Sequence, residues 1–374
     1  MKKKQLVVGL VLIAIVAALA IWGRGSEPFD FAAFRSQLAH IDWSKIALAT
    51  ACIYLAYLFR AVRWAWLLRH DRKVPLFSLL GTQVIGFTAV ALIGRIADPV
   101  RPYLVSKRTG LPVSNQIAVY VVERLFDLGT SALLFSLALM AFSGAAPHVE
   151  TNKAGALSGH FASLLSHYPF LSTVIERYGM LLLTLFGALF LVLVRFKGAS
   201  VAAYVESGIG RFSKATGKAV AHKILTFRSG LYTMRSFSDF AVTVGISLAM
   251  WALISVAYLE TIQAFAACDQ LRAMTLHGSV MLMMASGGAS IIQLPVIGWF
   301  TQIGIVAKII SVSLGVPLDI ATASAAMLLV VTFLAVVPIG LIWARFEHVS
   351  LRKITEESEH AGEDLPEDAR EAAL

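Results

Sequence analysis

The sequence predicts an all-α integral membrane protein, and two observations carry this prediction. The chain of 374 residues is 57% hydrophobic and 15% charged, with a mean hydropathy of +0.74, whereas soluble domains carry roughly a quarter charged residues. Several apolar runs reach the ~20 residues that a helix needs to span a hydrocarbon core about 30 Å thick. We expect about six full transmembrane helices and two re-entrant regions, within a polytopic domain over residues 1–345.

The net charge of +9 is distributed unevenly along the chain. Residues 346–374 carry nine acidic and three basic side chains, which predicts a disordered, acidic cytoplasmic tail. The basic excess therefore lies in loops beside the apolar runs, a pattern typical of the positive-inside rule and not of nucleic-acid binding. Cys52 and Cys268 lie in or beside apolar runs without metal-ligand spacing, so we expect neither a disulfide nor a metal site.

The first predicted helix is the apolar run Leu6–Trp22, which follows the basic segment Lys2–Lys4. The alternative is a signal peptide cleaved near Ala18-Leu19-Ala20, but the apolar run is long and many further spans follow it. We expect a retained helix with a cytoplasmic amino terminus, an external loop over 23–44 and a second span over Lys45–Leu68.

Two arginines lie within the inner part of this second span. Arg60 and Arg63 are three residues apart and therefore share one helix face. Arg69, Arg72 and Lys73 follow at the end of the span, where the positive-inside rule explains them. Two interpretations of Arg60 and Arg63 stay open: they anchor the span at the interface, or they face a polar cavity, where we count them as candidate residues for binding a lipid head group.

The next apolar run, Leu76–Ile93, has basic residues on both flanks. A full crossing would place one of these basic clusters outside, whereas a re-entrant segment keeps both on the cytoplasmic side. Irregular backbone at membrane depth is tolerated where protein buries it or where it lines a cavity. We therefore expect re-entry, with a full crossing as the alternative.

The stretch Gly94–Tyr103, which follows this run, has the signals of a helix start. Asp98 is a typical N-cap residue, and Pro99 is favoured at the first helical position. Gly110 is a typical C-terminal stop. We expect a short helix that begins after Asp98 and ends at about Arg108.

The start of this short helix is a candidate phosphate site. Arg95 and Arg101 flank it, and a helix N-terminus presents unpaired N–H groups and a partial positive charge. Together with Asp98 these arginines form the predicted head-group site at the membrane surface, where we expect Arg101 at the interface and not in packed core. The alternative is that Arg95 pairs with Asp98 and both arginines only anchor the segment.

The following span, Gln116–Phe142, carries three charged residues well below the membrane surface. Each charge at the bilayer centre costs about 2.5–3.5 kcal/mol on insertion scales. Glu123, Arg124 and Asp127 have spacings of three and four, so they share a helix face and form an ion cluster with a net charge of −1. Arginines from the earlier segments are expected to balance it. The cluster either lines a functional cavity or locks helices together.

The central part of the chain predicts one return span between two loops. Residues 143–177 are polar and are expected outside, and Tyr178–Val194 is the return span. Arg195–Arg235 carries many basic residues and one acid, Glu206. We expect it in the cytoplasm, with a part that lies as an amphipathic helix on anionic lipid.

The last third of the chain repeats the earlier order. Ser238–Ala266 is an outward span and Leu318–Trp343 is the last span. Between them, Leu276–Leu314 has a small-residue break at 286–290, and we expect a second re-entrant region entered from outside, with two short crossings as the alternative. Both termini are then cytoplasmic. The candidate residues of the second region are Gly287, Gly288, Gln293, Pro295, Gly298 and Gln302. The units Lys45–Phe142 and Ser238–Trp343 predict an inverted repeat, as in many secondary transporters.

Two motifs in this sequence carry a family resemblance. Gly94-Arg95-x-x-Asp98-x-x-Arg101-Pro102-Tyr103, followed by Glu123-Arg124-x-x-Asp127, resembles the membrane region of lysylphosphatidylglycerol synthases, which also occurs alone in flippase-like proteins. The resemblance covers nearly the whole chain and implies movement of an anionic, aminoacylated or polyprenyl-linked lipid between leaflets. Only a short acidic segment follows Trp343 in this sequence, so we expect no aminoacyl-transferase domain like that of the bifunctional members and no lipid aminoacylation. The family's second-half acidic residue is also absent from Ile297–Ile303.

These observations lead to a functional expectation. No P-loop, G-x-S-x-G or H-x-x-x-H pattern occurs in the sequence, so we expect no enzyme and no cofactor. We expect flippase-like translocation of a phosphate-bearing or polyprenyl-linked lipid across a bacterial inner membrane. The alternative is a non-transporting protein that presents a lipid to a separate lipid-synthesising enzyme. The sequence leaves the oligomeric state open.

Overall fold

The structure is a computed structural model that describes residues 41–143, 236–289 and 297–347, with isolated positions and one short helical piece elsewhere between 36 and 218. Every regular element in these three ranges is a helix. Several predicted features lie outside the described residues, wholly or for the most part: Leu6–Trp22, the loop 144–177, Tyr178–Val194, Arg195–Arg235 except for 197–208 and 218, Gln293, Pro295 and the tail from 348.

Nine helices are numbered here in chain order within those ranges. Their bounds are α1 Trp43–Leu68, α2 Leu76–Ile93, α3 Val100–Thr109, α4 Val113–Ser143, α5 Phe237–Gln263, α6 Leu276–Ala289, α7 Ile297–Leu314, α8 Leu318–Leu329 and α9 Val336–Phe346. A π-helical turn, Val330–Leu334, joins α8 to α9, and a one-turn helix, Asp269–Arg272, lies between α5 and α6.

Five segments in the described part are long and apolar enough to cross a membrane. They are α1, α2, most of α4, α5 and the continuous segment Leu318–Phe346, and α7 is a shorter apolar helix. This confirms the predicted all-helical membrane class. Re-entry of Leu76–Ile93 and Leu276–Leu314 stays a prediction. The second region does consist of two helices, α6 and α7, and α6 continues through Gly287 and Gly288.

Local sequence signals explain where the long helices begin. Asp42 caps α1, since its carboxylate accepts hydrogen bonds from the backbone N–H of Ser44 at 3.0 Å and from its hydroxyl at 2.5 Å. The hydroxyl hydrogen bond lowers the pKa of Asp42 from its ordinary value. Ser236 and Asp239 form a capping box at the start of α5, which satisfies two otherwise unpaired N–H groups.

The predicted start of the short helix α3 is wrong. Gly94, with φ 92°, leads into a 3₁₀ turn over Arg95–Ala97, so Asp98 is already helical, whereas an N-cap residue needs extended backbone. The cap is Pro99, without a side-chain hydrogen bond. The backbone N–H groups of Asp98 and Arg101 donate to carbonyls one turn earlier. The unpaired donors on which the predicted phosphate site depended are therefore largely satisfied. The predicted end is confirmed at Gly110, with φ 69°.

The long helices α1 and α5 form an antiparallel pair at the centre of the fold. Lys45, near the start of α1, contacts Glu260 near the end of α5 at 2.9 Å, and Arg69 just after α1 contacts Asp239 at the start of α5. Around this pair, α2 packs against α9, and α6 packs against α4. Helices from the two halves of the chain thus interleave, and the polar residues of both halves come together between them.

Candidate functional site

Five ionised side chains from three helices form a buried cluster. Arg60 and Arg63 come from α1, Arg101 from α3, and Glu123 and Asp127 from α4. Their exposed fractions are 8%, 0%, 0%, 1% and 5%. We call this group, together with Arg124, the ion cluster. The structure therefore brings together six of the eight residues that the sequence predicted for the head-group site and the cavity cluster.

Arg63 holds the cluster together. Its Nη2 donates to Glu123 Oε1 at 2.7 Å, and its Nη1 donates to Asp127 Oδ1 at 2.7 Å and to Ser247 Oγ at 2.7 Å. Charge-assisted hydrogen bonds of this length are the strong class. One guanidinium thus ties α1 to both α4 and α5.

Arg60 is bound more loosely to the same carboxylates. Its Nη1 lies 3.4 Å from Asp127 Oδ2 and 3.7 Å from Glu123 Oε1. Its guanidinium carbon lies 5.0 Å from the centre of the Phe87 ring, a distance at which a cation–π interaction contributes. Arg63 thus has the shorter contacts to both carboxylates, and Arg60, with longer contacts, lies at the side of the cluster that faces the cavity described below.

Arg101 is fully buried, so the prediction that it lies at the membrane interface is wrong. Its Nη1 donates to Gln83 Oε1 at 3.0 Å and lies 3.5 Å from Glu123 Oε2. The Nε and Nη2 atoms have no hydrogen-bond partner in the described part of the chain. Its guanidinium carbon lies within 6 Å of three aromatic ring centres, those of Trp64, Phe87 and Tyr120.

Local sequence could not reveal this burial. The side chain of Arg101 passes over Gly86, where an added Cβ would collide with the Arg101 side chain. The space for the arginine therefore depends on a glycine of α2, a different helix. The residue reaches the core because α3 packs between α2 and α4.

The remaining predicted charges lie at the edge of the cluster. Arg124 Nη1 is 3.8 Å from Asp127 Oδ2, and the Arg124 side chain is 37% exposed. Asp98 is partly buried and interacts electrostatically with Arg124, whereas Arg95 is exposed. Four arginines against two carboxylates give the cluster a net charge of +2, which Asp98 offsets in part. The predicted trio was net negative, but the arginines more than balance it.

A cavity of about 390 Å³ adjoins the ion cluster. Arg60 forms part of its wall, and residues of the second half form another part: Ser286, Gly287, Gly288 and Gln302. Aromatic side chains line it as well, among them Trp251, whose Nε1 lies 3.4 Å from Asp127 Oδ1. Of the predicted site residues, Arg60, Gly287, Gly288 and Gln302 thus share one cavity. Arg63 and Arg101 are not among the described residues that line it, and Gly298 is buried within α7.

A second polar group at the cavity was only partly predicted. The Tyr258 hydroxyl and the Gln302 amide Nε2 each donate to Ser286 Oγ at 3.0 Å. The sequence analysis selected Gln302 but neither Tyr258 nor Ser286 as a site residue. In the sequence, each of these two residues is only a hydrogen-bonding side chain in an apolar run. Such residues are common in transmembrane helices, and their contacts become visible only when the helices are packed.

One comparison with known proteins identifies a family for this chain. The family model described as the lysylphosphatidylglycerol synthase TM region matches residues 6–340, a range that contains the ion cluster and every residue of the cavity wall. A comparison with curated proteins finds no match.

Proposed function

Because this chain belongs to the family of the lysylphosphatidylglycerol synthase transmembrane region, we propose that it moves a phosphate-bearing lipid between membrane leaflets. Family membership and the five apolar segments make it a multi-pass membrane protein with a lipid-related role. We further propose a bacterial inner membrane, with both termini in the cytoplasm. The observation that carries the translocation proposal is the net positive ion cluster beside a cavity at membrane depth.

An excess of buried positive charge favours an anionic ligand. A charge removed from water is costly unless it is paired and hydrogen-bonded. Arg60, Arg63, Arg101 and Arg124 outnumber Glu123 and Asp127, and several of their N–H groups have no acceptor among the described residues. A phosphate in the cavity would supply negative charge near Arg60, and the arginine fork matches the geometry of phosphate oxygens.

The proposed path follows from the physical cost of moving a lipid. The acyl chains of a lipid can stay in hydrocarbon while only the head group crosses, so the main cost is desolvation of that head group. A cavity that adjoins an arginine cluster lowers this cost by replacing water with fixed charges and hydrogen bonds. The cavity lies between the two halves of the chain, as binding sites do in transporters built from repeats.

The test is lipid translocation by the purified protein in liposomes. A fluorescent phosphatidylglycerol analogue is placed in both leaflets, and a membrane-impermeant quencher reports exchange between them. We expect wild-type protein to accelerate exchange, and Arg60→Ala and Arg60→Lys to slow it by about tenfold or more, since a charge-assisted contact is lost or loses its geometry.

Lys308→Ala is the matched control, because Lys308 is an exposed cation on the apolar helix α7. It should exchange lipid like wild type. Wild-type protein that binds the lipid but leaves exchange at the rate of protein-free liposomes would overturn the proposal and favour a non-transporting protein that presents lipid to an enzyme.

A further inference from the structure

We propose that the head group carried by this protein is a phosphodiester that bears neutral hydroxyl groups, such as a glycerol or a hexose, and that Ser286 and Gln302 bind one of these hydroxyls. This inference rests on the proposed function, since it names the class of lipid that the same cavity takes. Three observations carry it: an incomplete hydrogen-bonding pair, the charges of the cavity wall, and the distribution of the nearby carboxylates.

The first observation is that Ser286 and Gln302 have unused hydrogen-bonding capacity beside the cavity. Ser286 Oγ accepts from Tyr258 and from Gln302, both at 3.0 Å, and its own proton has no acceptor in the described ranges. Gln302 Oε1 is buried without a partner there, and the residue is 8% exposed. One free donor and one free acceptor lie side by side. A hydroxyl group both donates and accepts, so it satisfies the two together.

The second observation concerns the charge of the cavity wall. Arg60 is the one charged residue among the described residues that line the cavity, and none of them is acidic. A phosphate is therefore matched by a cation, whereas an ammonium group would meet a like charge. A primary amine, as in an ethanolamine or aminoacyl head group, would enter without an anionic partner and lose its hydration.

The third observation is that the nearest carboxylates are already engaged. Glu123 and Asp127 each accept a 2.7 Å hydrogen bond from Arg63, and both also lie within 4 Å of Arg60. An incoming ammonium would have to compete with guanidinium groups for these carboxylates. The cavity of about 390 Å³ lies within the usual size range of small-ligand sites. Its chemistry thus favours phosphate near Arg60 and hydroxyl near Ser286 and Gln302.

The experiment compares four lipids on wild-type protein and on three variants, with lipid retention in native mass spectrometry as the readout. Phosphatidylglycerol and a hexosyl polyprenyl phosphate carry hydroxyls, phosphatidic acid carries phosphate alone, and lysylphosphatidylglycerol carries amines. We expect wild type to retain at least one hydroxyl-bearing lipid about tenfold better than phosphatidic acid and lysylphosphatidylglycerol. Whether glycerol or hexose is preferred identifies the source of the head group.

Two variants test the assignment to residues, and a third is the control. Ser286→Ala and Gln302→Leu should each reduce the preference for the hydroxyl-bearing lipid over phosphatidic acid by about fivefold to tenfold, as expected for a hydrogen bond in a buried site. They should leave phosphatidic acid retention unchanged, which also shows that the variants are folded. Ser131→Ala should behave as wild type, because Ser131 lines the cavity but its hydroxyl already donates to the Leu128 carbonyl at 3.1 Å.

The outcomes separate this inference from the proposed function. Equal or better retention of lysylphosphatidylglycerol by wild type, or an equal loss of phosphatidic acid in both variants, would overturn the hydroxyl assignment. Lipid exchange in liposomes without selectivity would leave translocation standing and remove only this inference. Selective retention without lipid exchange would support the hydroxyl assignment and overturn the proposed translocation.

Discussion

Gly86 provides the space in which Arg101 is buried. An alanine at this position would place its Cβ against the Arg101 side chain, and the guanidinium would have to leave Gln83 and the aromatic rings around it. Overpacking of this kind typically costs about 1–3 kcal/mol. We expect Gly86→Ala to lower the melting temperature in detergent and to weaken retention of an anionic lipid, both measured against wild type.

Gly245→Ala is the matched control for this change. Gly245 lies in the transmembrane helix α5, where an added Cβ meets nothing within 4 Å. Alanine there should leave the melting temperature unchanged or raise it slightly, because alanine favours the helix. If both glycine variants melted like wild type, the packing of Arg101 over Gly86 would not contribute to stability.

Asp127 is one of the two carboxylates that balance the arginines of the ion cluster, and it contacts three of them. Its carboxylate accepts hydrogen bonds from Arg63 at 2.7 Å, from Arg60 at 3.4 Å and from the Trp251 indole at 3.4 Å. Asp127→Ala would leave two buried arginines with one carboxylate, and breaking a buried pair in this way costs on the order of 3 kcal/mol. We expect a sharp fall in thermal stability and expression, and Asp127→Asn should also be unstable because it removes the same charge.

The exposed residue Asp71 supplies the control for Asp127. Asp71→Ala should melt like wild type, since a solvated carboxylate contributes little. Normal thermal stability of both Asp127 variants would mean that the cluster is hydrated and not held together by its charges.

At the level of elements, the ion pairs at the two ends of α1 and α5 set their antiparallel register. Lys45 pairs with Glu260 at 2.9 Å and also donates to Gln263 at 2.9 Å. This pair is partly exposed, so we expect Lys45→Glu or Glu260→Lys alone to cost up to about 1 kcal/mol. The double variant restores an opposite-charge pair and should recover most of the loss in thermal unfolding.

A double-mutant cycle measures whether Lys45 and Glu260 interact, and it can contradict this prediction. If the cost in the double variant equalled the sum of the two single costs, Lys45 and Glu260 would not interact. Lys308→Glu, on the exposed face of α7, serves as a control that introduces the same charge change away from this pair.

The sequence predicted the long helices well because their signals are local. Apolar runs predict boundaries within a few residues of the observed ones, as for Lys45–Leu68 against Trp43–Leu68, and Gly110 predicts the end of the short helix α3. Asp98 failed as a cap because the 3₁₀ turn before it had already made its backbone helical. A local signal of that kind is overridden whenever the preceding residues adopt a competing conformation.

The candidate site was predictable in part for a different reason. Ionised residues inside apolar runs are costly, so Arg60, Glu123 and Asp127 could be selected from sequence alone. Arg101 was also selected, but its burial beside Glu123 could not be predicted, because its side chain reaches the cluster through the gap at Gly86, on another helix. Tyr258 and Ser286 meet only when α5 and α6 are packed together.

For the whole molecule, the antiparallel α1–α5 pair allows a direct test of the predicted orientation. The end of α1 and the helical piece 197–208 are expected in the cytoplasm, and the turn after α5 is expected outside. We expect cysteines introduced at Asp71 and Tyr204 to react with an impermeant maleimide only after permeabilisation. A cysteine introduced at Gln270 should react in intact cells. These three positions are exposed.

The native cysteines provide the background control, since Cys52 and Cys268 are buried and wild-type protein should give little labelling. Labelling of a cysteine at Asp71 in intact cells would reverse the predicted orientation. Equal labelling at Asp71 and Gln270 would show that α1 and α5 do not place these two turns on opposite sides.

The excess of arginine in the ion cluster has an electrical consequence. A unit charge that crosses a membrane gains or loses about 2.3 kcal/mol for each 100 mV of potential. The arginines belong to the helix-borne cluster, so for an anionic substrate the charge that crosses with each event would be that of the head group. In a cell with a negative interior, voltage alone would then drive the lipid outward, without a nucleotide or an ion gradient. Liposomes with an imposed potassium diffusion potential should accumulate a monoanionic lipid in the leaflet on the positive side.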